Sequence, residues 1–317
     1  MRRVLLAAVL LAWGTAGGCS CPSSTSAGGT VPPAPSASSG GGDAEGDAAA
    51  APAPPPGCPV ASKGVVAGKV THPALLEASG LTASWLTPGV LWTHNDSGDG
   101  ARIFALRADA TLAAEIQLDD AVANDWEAIA AGPFEGAPAL YIGDIGDNQK
   151  ARANVTIYVV REPALAPAPT NVQVAKRLDL KYEDGAHDAE ALLVDPVDGT
   201  IVIATKSLDG KSGIYVADTE RSLLTLATTL DELPWVTDGS VSKDGRLVAL
   251  RTYGTAFAWT RTPGTSLVDA LKGARCALEL EAEPQGEAIA LANDGSSYFT
   301  LSEKKDQPLW SFALARR

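Results

Sequence analysis

From residue 64 onward, apolar and polar residues alternate in short runs with a period of two, the pattern of strands that bury one face. Four groups of four such runs can be read. The first is Ala78–Ser84, Val90–His94, Arg102–Arg107 and Ala113–Leu118. The second is Glu127–Ala131, Leu140–Asp144, Val155–Arg161 and Val172–Leu180. The third is Glu190–Val194, Ile201–Thr205, Ile214–Ala217 and Leu226–Leu230. The fourth is Ser240–Ser242, Leu247–Thr252, Ala256–Thr260 and Cys276–Glu281. A fifth group has only three, Glu287–Leu291, Tyr298–Ser302 and Leu309–Leu314. Asp198-Gly199, Asp209-Gly210, Asp244-Gly245 and Asp294-Gly295 predict tight hairpins between runs, since Asp-Gly tolerates positive φ.

Each group opens on a related phrase: EASGL around Ser79, DWEAIA around Glu127, DAEALL around Glu190, TDGSVS around Ser240 and QGEAIA around Glu287. A recurrence every ~50 residues belongs to propellers and solenoids. The last group lacks a fourth strand, and one strand, Gly64–Val70, is spare in front of the first. Pairing the two closes a ring and removes an open sheet edge. The predicted fold is therefore all-β, a five-bladed β-propeller of four-stranded blades closed by an N-terminal strand. The interval from Glu127 to Glu190 is the longest and has room for a further hairpin, so six blades is the alternative.

The first 57 residues follow a different logic. Met1-Arg2-Arg3 precedes an apolar run from Val4 to Trp13, too short to span a bilayer. The small residues Thr15 to Gly18 then lead to Cys19, which resembles a bacterial lipobox with Ala16 where leucine is usual. Residues 1–18 read as a signal peptide and Cys19 as the lipidated residue; the alternative is an ordinary secretory signal cut near Ala16. Residues 19–57, rich in Gly, Ala, Pro and Ser, read as a disordered tether, and residues 58–317 as the propeller. The expected location is the cell envelope, lipid-anchored and extracytoplasmic, at the outer membrane or periplasm if the cell is Gram-negative. In that oxidising setting Cys58 and Cys276, near the two ends of the folded part, are expected to pair and staple the closure. The net charge of −13 argues against nucleic acid and anionic lipid as partners. The membrane is reached only through the anchor, and a monomer is expected.

In a propeller the first strand of each blade is innermost, so Ser79, Glu127, Glu190, Ser240 and Glu287 should converge on the channel. Two carboxylates ~6 Å apart repel by about 2.8 kcal/mol at an effective dielectric near 20. Three glutamates therefore call for protonation or a cation. Oxygen-only ligands suit a hard cation, Ca2+ before Mg2+; the alternative is that these side chains cap neighbouring backbone. The ends of the second strands should rim the same mouth. They supply His94, Asn95, Asp96, Asp144, Asp147, Asn148, Lys206, Arg251, Tyr253 and Glu303, with His187 entering from the third blade. This rim would seat a small anionic ligand, with Lys206 and Arg251 flanking the cation. Asp96, Asp144, His94 and His187 are the candidates for catalysis. Trp126 and Trp235 precede inner strands and could line the mouth.

The phrases EASGL, DWEAIA, HDAEALLVDP and QGEAIALANDGSSYFTLSE resemble bacterial propellers of the SdiA-regulated type, over residues 70–315. The order Ser, Glu, Glu, Ser, Glu is also similar to that of the calcium-activated nucleotidases (apyrases). That resemblance implies that Ser79, Glu127, Glu190, Ser240 and Glu287 ligate a central Ca2+; the nucleotide-contacting loops of that family have no counterpart here. Two functions follow as expectations: a calcium-binding envelope module that binds or scaffolds a protein or small anion, or a Ca2+-dependent phosphohydrolase.

Overall fold

The computed structural model describes residues 57–315. The expected signal peptide, Cys19, Cys21 and all but the last residue of the expected tether lie outside the described residues. The described chain is all-β, with a single five-residue helix.

Two short strands come first, β1 (Val60–Ala61) and β2 (Val65–Lys69). β3 (Ala78–Ala83), β4 (Val90–Asn95), β5 (Arg102–Arg107) and β6 (Leu112–Asp119) form an antiparallel meander. A second contains β7 (Trp126–Phe134), β8 (Ala137–Asp144) and β9 (Val155–Arg161). The chain then detours through β10 (Asn171–Gln173) and returns as β11 (Lys176–Tyr182), the fourth strand of this meander. β12 (Ala189–Val194), β13 (Ile201–Thr205), β14 (Lys211–Asp218) and β15 (Leu223–Asp231) make a third. A two-residue parallel pairing of β11 with β15 merges these last two meanders into an eight-stranded sheet. β16 (Val236–Val241), β17 (Leu247–Thr252), β18 (Ala256–Thr260) and, after helix α1 (Leu267–Leu271), β19 (Cys276–Leu278) make a fourth. The final strands β20 (Gly286–Leu291), β21 (Ser297–Ser302) and β22 (Pro308–Ala315) are completed by β2, antiparallel to β22, with β1 pairing the far end of β22.

The expected strand Val172–Leu180 is corrected by this arrangement. It splits at Val174–Ala175: β10 runs parallel to β6 of the preceding meander, and only β11 joins its own. Asp119 holds the detour, accepting from Asn171 Nδ2 and Gln173 Nε2 at 2.6 Å each. The long interval between Glu127 and Glu190 is spent on this detour and not on an extra hairpin.

Five apolar clusters fill the spaces between meanders. Trp92, Ile116, Trp126 and Ile142 lie between the first and second; Tyr141, Ile157, Leu192 and Ile203 between the second and third. Leu193, Val202, Val248 and Trp259 serve the third and fourth, Ala249, Ile289, Tyr298 and Phe312 the fourth and fifth. Leu81, Phe104, Leu301 and Leu309 join the fifth back to the first. Each large side chain sealed in this way contributes about 1.5–3 kcal/mol. Correspondingly, β3 neighbours β7, β7 neighbours β12, β12 neighbours β16, β16 neighbours β20, and β20 neighbours β3. A disulfide joins Cys58, just ahead of β1, to Cys276 in β19, with Cα atoms 5.5 Å apart.

Candidate functional site

Every first strand carries a β-bulge near its start. Register slips between Ser79 and Leu81, Trp126 and Ala128, Ala189 and Ala191, Val236 and Asp238, and Gly286 and Ala288. The extra residues are therefore Gly80, Glu127, Glu190, Thr237 and Glu287. A bulge bends the strand and re-aims one side chain out of the alternating pattern, which is how three glutamates come to sit together on strands that otherwise bury apolar residues. The expected equivalence of Ser79 and Ser240 with the glutamates is corrected. Ser79 precedes its bulge by one residue, and Ser240 follows its own by three.

Both serines brace neighbouring backbone. Ser79 Oγ donates to the Glu127 carbonyl at 3.1 Å, and Ser240 Oγ accepts from Leu291 N–H at 3.0 Å. Asp238 does the same more forcefully. Wholly buried, it accepts from Leu81 N–H at 3.1 Å, Ile289 N–H at 2.8 Å and Gly239 N–H at 2.7 Å, tying β16 to β3 and β20. Burial pushes its carboxyl well above the usual range, against the pull of those three bonds.

The carboxylates gather around Asp96. Asp96, Asp125 and Glu127 offer one oxygen each, all within 4.8 Å of one another. Asp125 is pushed up to about 6, first by burial and then by Asp96 and Asp188. Burial raises Glu127 well above the ordinary range, and Glu190, Asp96 and Asp125 add to it. Glu303, from the end of the fifth meander's second strand, is pushed up to about 7 by burial and by Glu287, Asp96 and Glu77. Burial also raises Glu190 and Glu287, partly offset by the ammonium of Lys206. Lys206 ion-pairs with Glu190 and donates to Tyr253 Oη at 2.9 Å, with its ammonium 5.1 Å from the centre of the Tyr253 ring. Lys206 thus neutralises the side of the cluster built on β12.

Gly146 shapes the other side. A Cβ there would lie 2.5 Å from Asp125 Oδ2 and 2.6 Å from Glu127 Oε1, so the missing side chain leaves room beside both oxygens. The donors are oxygens, three are mutually close, and burial makes their joint ionisation unfavourable without a counter-ion. This set fits a hard divalent cation.

Several expected rim residues are used by the fold instead. Arg251 is fully buried, donating to the Ala288 carbonyl at 3.0 Å and to Glu283 Oε2 at 3.0 Å, so it is corrected from a ligand-facing cation to an internal brace. Asp144, also fully buried, pairs with Arg152 at 2.8 Å and accepts from Asn124 Nδ2 at 2.9 Å. Asn95 accepts from Leu76 and Glu77 N–H at 3.1 Å each and donates to the Ala74 carbonyl. Asp147 accepts from Ala151 and Arg152 N–H, which folds its own loop, and leaves Asn148 exposed at the tip. His94 is buried against Trp126, its Nδ1–H donating to the Asn95 carbonyl at 2.8 Å; burial holds its imidazole below the ordinary value. Trp126 is likewise core, which corrects its placement at the mouth, whereas Trp235 is exposed. His187 belongs to a separate group, donating to Asp184 at 3.0 Å beside Tyr182 and Tyr215. Asp125, Asp188, Arg152 and Glu283 were not among the sequence candidates. The first two stand two residues before a bulge glutamate in the repeated phrase, which was the available signal; Arg152 and Glu283 carry none.

No protein-family model matches the chain, and a search of curated proteins finds no match.

Proposed function

We propose that this chain is an exported, lipid-anchored five-bladed β-propeller that binds Ca2+ at its mouth and serves as a binding or scaffold module of the cell envelope. The five meanders are its blades, β3, β7, β12, β16 and β20 its inner strands, and β2 its closing strand. Support for the ring comes from five apolar clusters that link each meander to the next and the last to the first. Support for export comes from the N-terminal sequence together with the Cys58–Cys276 disulfide, a bond of oxidising compartments. The observation that carries the metal reading is the convergence of Asp96, Asp125 and Glu127 oxygens beside the gap at Gly146. These three residues would hold the ion, with Glu190, Glu287 and Glu303 around it. The ion would supply positive charge that lets buried carboxylates ionise together.

Isothermal titration of the metal-free protein tests this. One Ca2+ should bind per chain, more tightly than Mg2+, and Asp125→Asn with Glu127→Gln should remove the heat. Unchanged binding in that double variant would show that the ion sits elsewhere. A phosphohydrolase would need basic side chains free to steady phosphoryl oxygens. Lys206 is held by Glu190 and Arg251 by Glu283, so binding is the better supported reading. A phosphate-release screen with and without chelator should find no calcium-dependent turnover.

A further inference from the structure

On the side of Lys206 stand two exposed apolar side chains, Leu208 and Trp235. The loop at Ser207–Gly210 and the loop at Glu232–Trp235 are clamped together by Trp235 N–H to the Ser207 carbonyl and Leu233 N–H to the Gly210 carbonyl, 3.0 Å each. Leu233 is fully buried and anchors its loop, yet Leu208 is 80 % and Trp235 45 % exposed. Trp235 also holds φ at +53°, a left-handed backbone that a residue with a Cβ adopts at a cost of about 1–2 kcal/mol. A strained backbone presents a large aromatic side chain to solvent in a firmly anchored loop. Its ring packs edge-on against Tyr253, centroids 6.5 Å apart. Tyr253 Oη is 2.9 Å from Lys206 Nζ, and Lys206 pairs with Glu190. Tyr253 and Lys206 therefore link Trp235 to the carboxylates.

We infer that this surface docks a basic peptide segment of another envelope protein, with apolar residues on Leu208 and Trp235 and lysine or arginine over the carboxylates. The inference rests on the binding-module reading above and names its partner class. Charge complementarity selects the occupant. Asp96, Asp125, Glu127, Asp188, Glu190, Glu287 and Glu303 act on one another across the mouth, and the cations that act on them are Lys206, Arg152, the braced Arg251 and Lys304. A divalent ion bound there leaves the acids in excess. Trp and Tyr beside an apolar neighbour, ringed by charge, are the composition of interface hot spots, and complementary charge fixes which partner docks.

The test is selection from a phage-displayed random dodecapeptide library on the full chain with Ca2+ present, counter-selected on Trp235→Gly. Glycine accepts the left-handed φ, so this variant should keep or slightly raise the melting temperature while losing the aromatic contact. The expected result is enrichment of peptides that combine lysine or arginine with leucine or aromatic residues. A synthetic copy of the leading peptide should bind at least tenfold more weakly to Trp235→Gly, and several-fold more weakly to Leu208→Ser. Its binding should also weaken about tenfold between low and physiological salt. No enrichment over the counter-selection, or enrichment of sequences lacking basic residues, would overturn the inference. So would a clear fall in melting temperature for Trp235→Gly, which would make Trp235 a packing residue. Calcium titration of Trp235→Gly should match the wild type. Peptide binding without a calcium signal would sink the metal reading alone, and calcium binding without peptide enrichment would sink the partner alone.

Discussion

At Gly146 a single methyl group separates two outcomes. The added carbon would press on Asp125 Oδ2 and Glu127 Oε1, and the backbone there has no left-handed φ that demands glycine. Gly146→Ala should therefore leave the fold intact while weakening Ca2+ at least tenfold, read by calorimetry and by a melting temperature close to that of the calcium-free wild type. Glu303 contributes to the pH response of the metal-free protein. Its folded-state value, near 7, lies above the ordinary 4.5, because burial and the charges of Glu287 and Asp96 disfavour ionisation. Its contribution to stability is thus fully present below pH 4.5 and is lost as pH rises through 7. Asp125, near 6, acts in the same direction at lower pH. Chelator-treated protein should melt at a lower temperature at pH 8 than at pH 5.5, and Glu303→Gln should flatten the difference. A higher melting point at pH 8 would contradict this account.

Among the elements, the bulges at the starts of β3, β7, β12, β16 and β20 decide which side chains leave the alternating pattern. Regular alternation after Trp126 or Ala189 would send the following glutamate into an apolar interface; the inserted residue turns it out. Asp238 is the matching device one step deeper, where its carboxylate completes bonds from β3 and β20 that the inner strands cannot make to each other. Removing it strands buried N–H groups, each at about 1–3 kcal/mol. Asp238→Ala should lower the urea midpoint of unfolding by more than Ser240→Ala, which frees only the Leu291 N–H.

For the whole molecule, closure governs stability. β2 and β1 pair with β22, and the disulfide ties Cys58 to Cys276 across a sequence separation of 218 residues. Constraining so long an unfolded loop is worth about 5 kcal/mol in the chain-entropy account. Cys58→Ser with Cys276→Ser should reduce the unfolding free energy by up to that amount while leaving calcium binding in place. The proposed Ca2+ would act at the same scale by mass action: at a hundredfold excess over its dissociation constant it would add about 2.7 kcal/mol. For a domain of this size that is roughly 5–10 °C in melting temperature, measurable by scanning calorimetry with calcium and with chelator.

Apart from β1 and the split into β10 and β11, the order and type of the strands were legible in the sequence because period-two alternation and Asp-Gly turns are local properties. So was the recurrence of the acidic phrase, since it depends only on spacing. Which member of each phrase occupies the bulge was not legible, because a bulge shifts register by one residue without changing composition. Ser79 and Ser240 consequently looked equivalent to the glutamates until the strand pairing showed Gly80 and Thr237 in that place. The assignment of cations also waited for the fold. Lys206 and Arg251 are alike in sequence, each standing at or beside the end of a second strand, but one meets Glu190 beside the acidic cluster and the other Glu283 in the interior. Local pattern determined the elements; the partners of each charge lie far along the chain, and only tertiary packing brings them within reach.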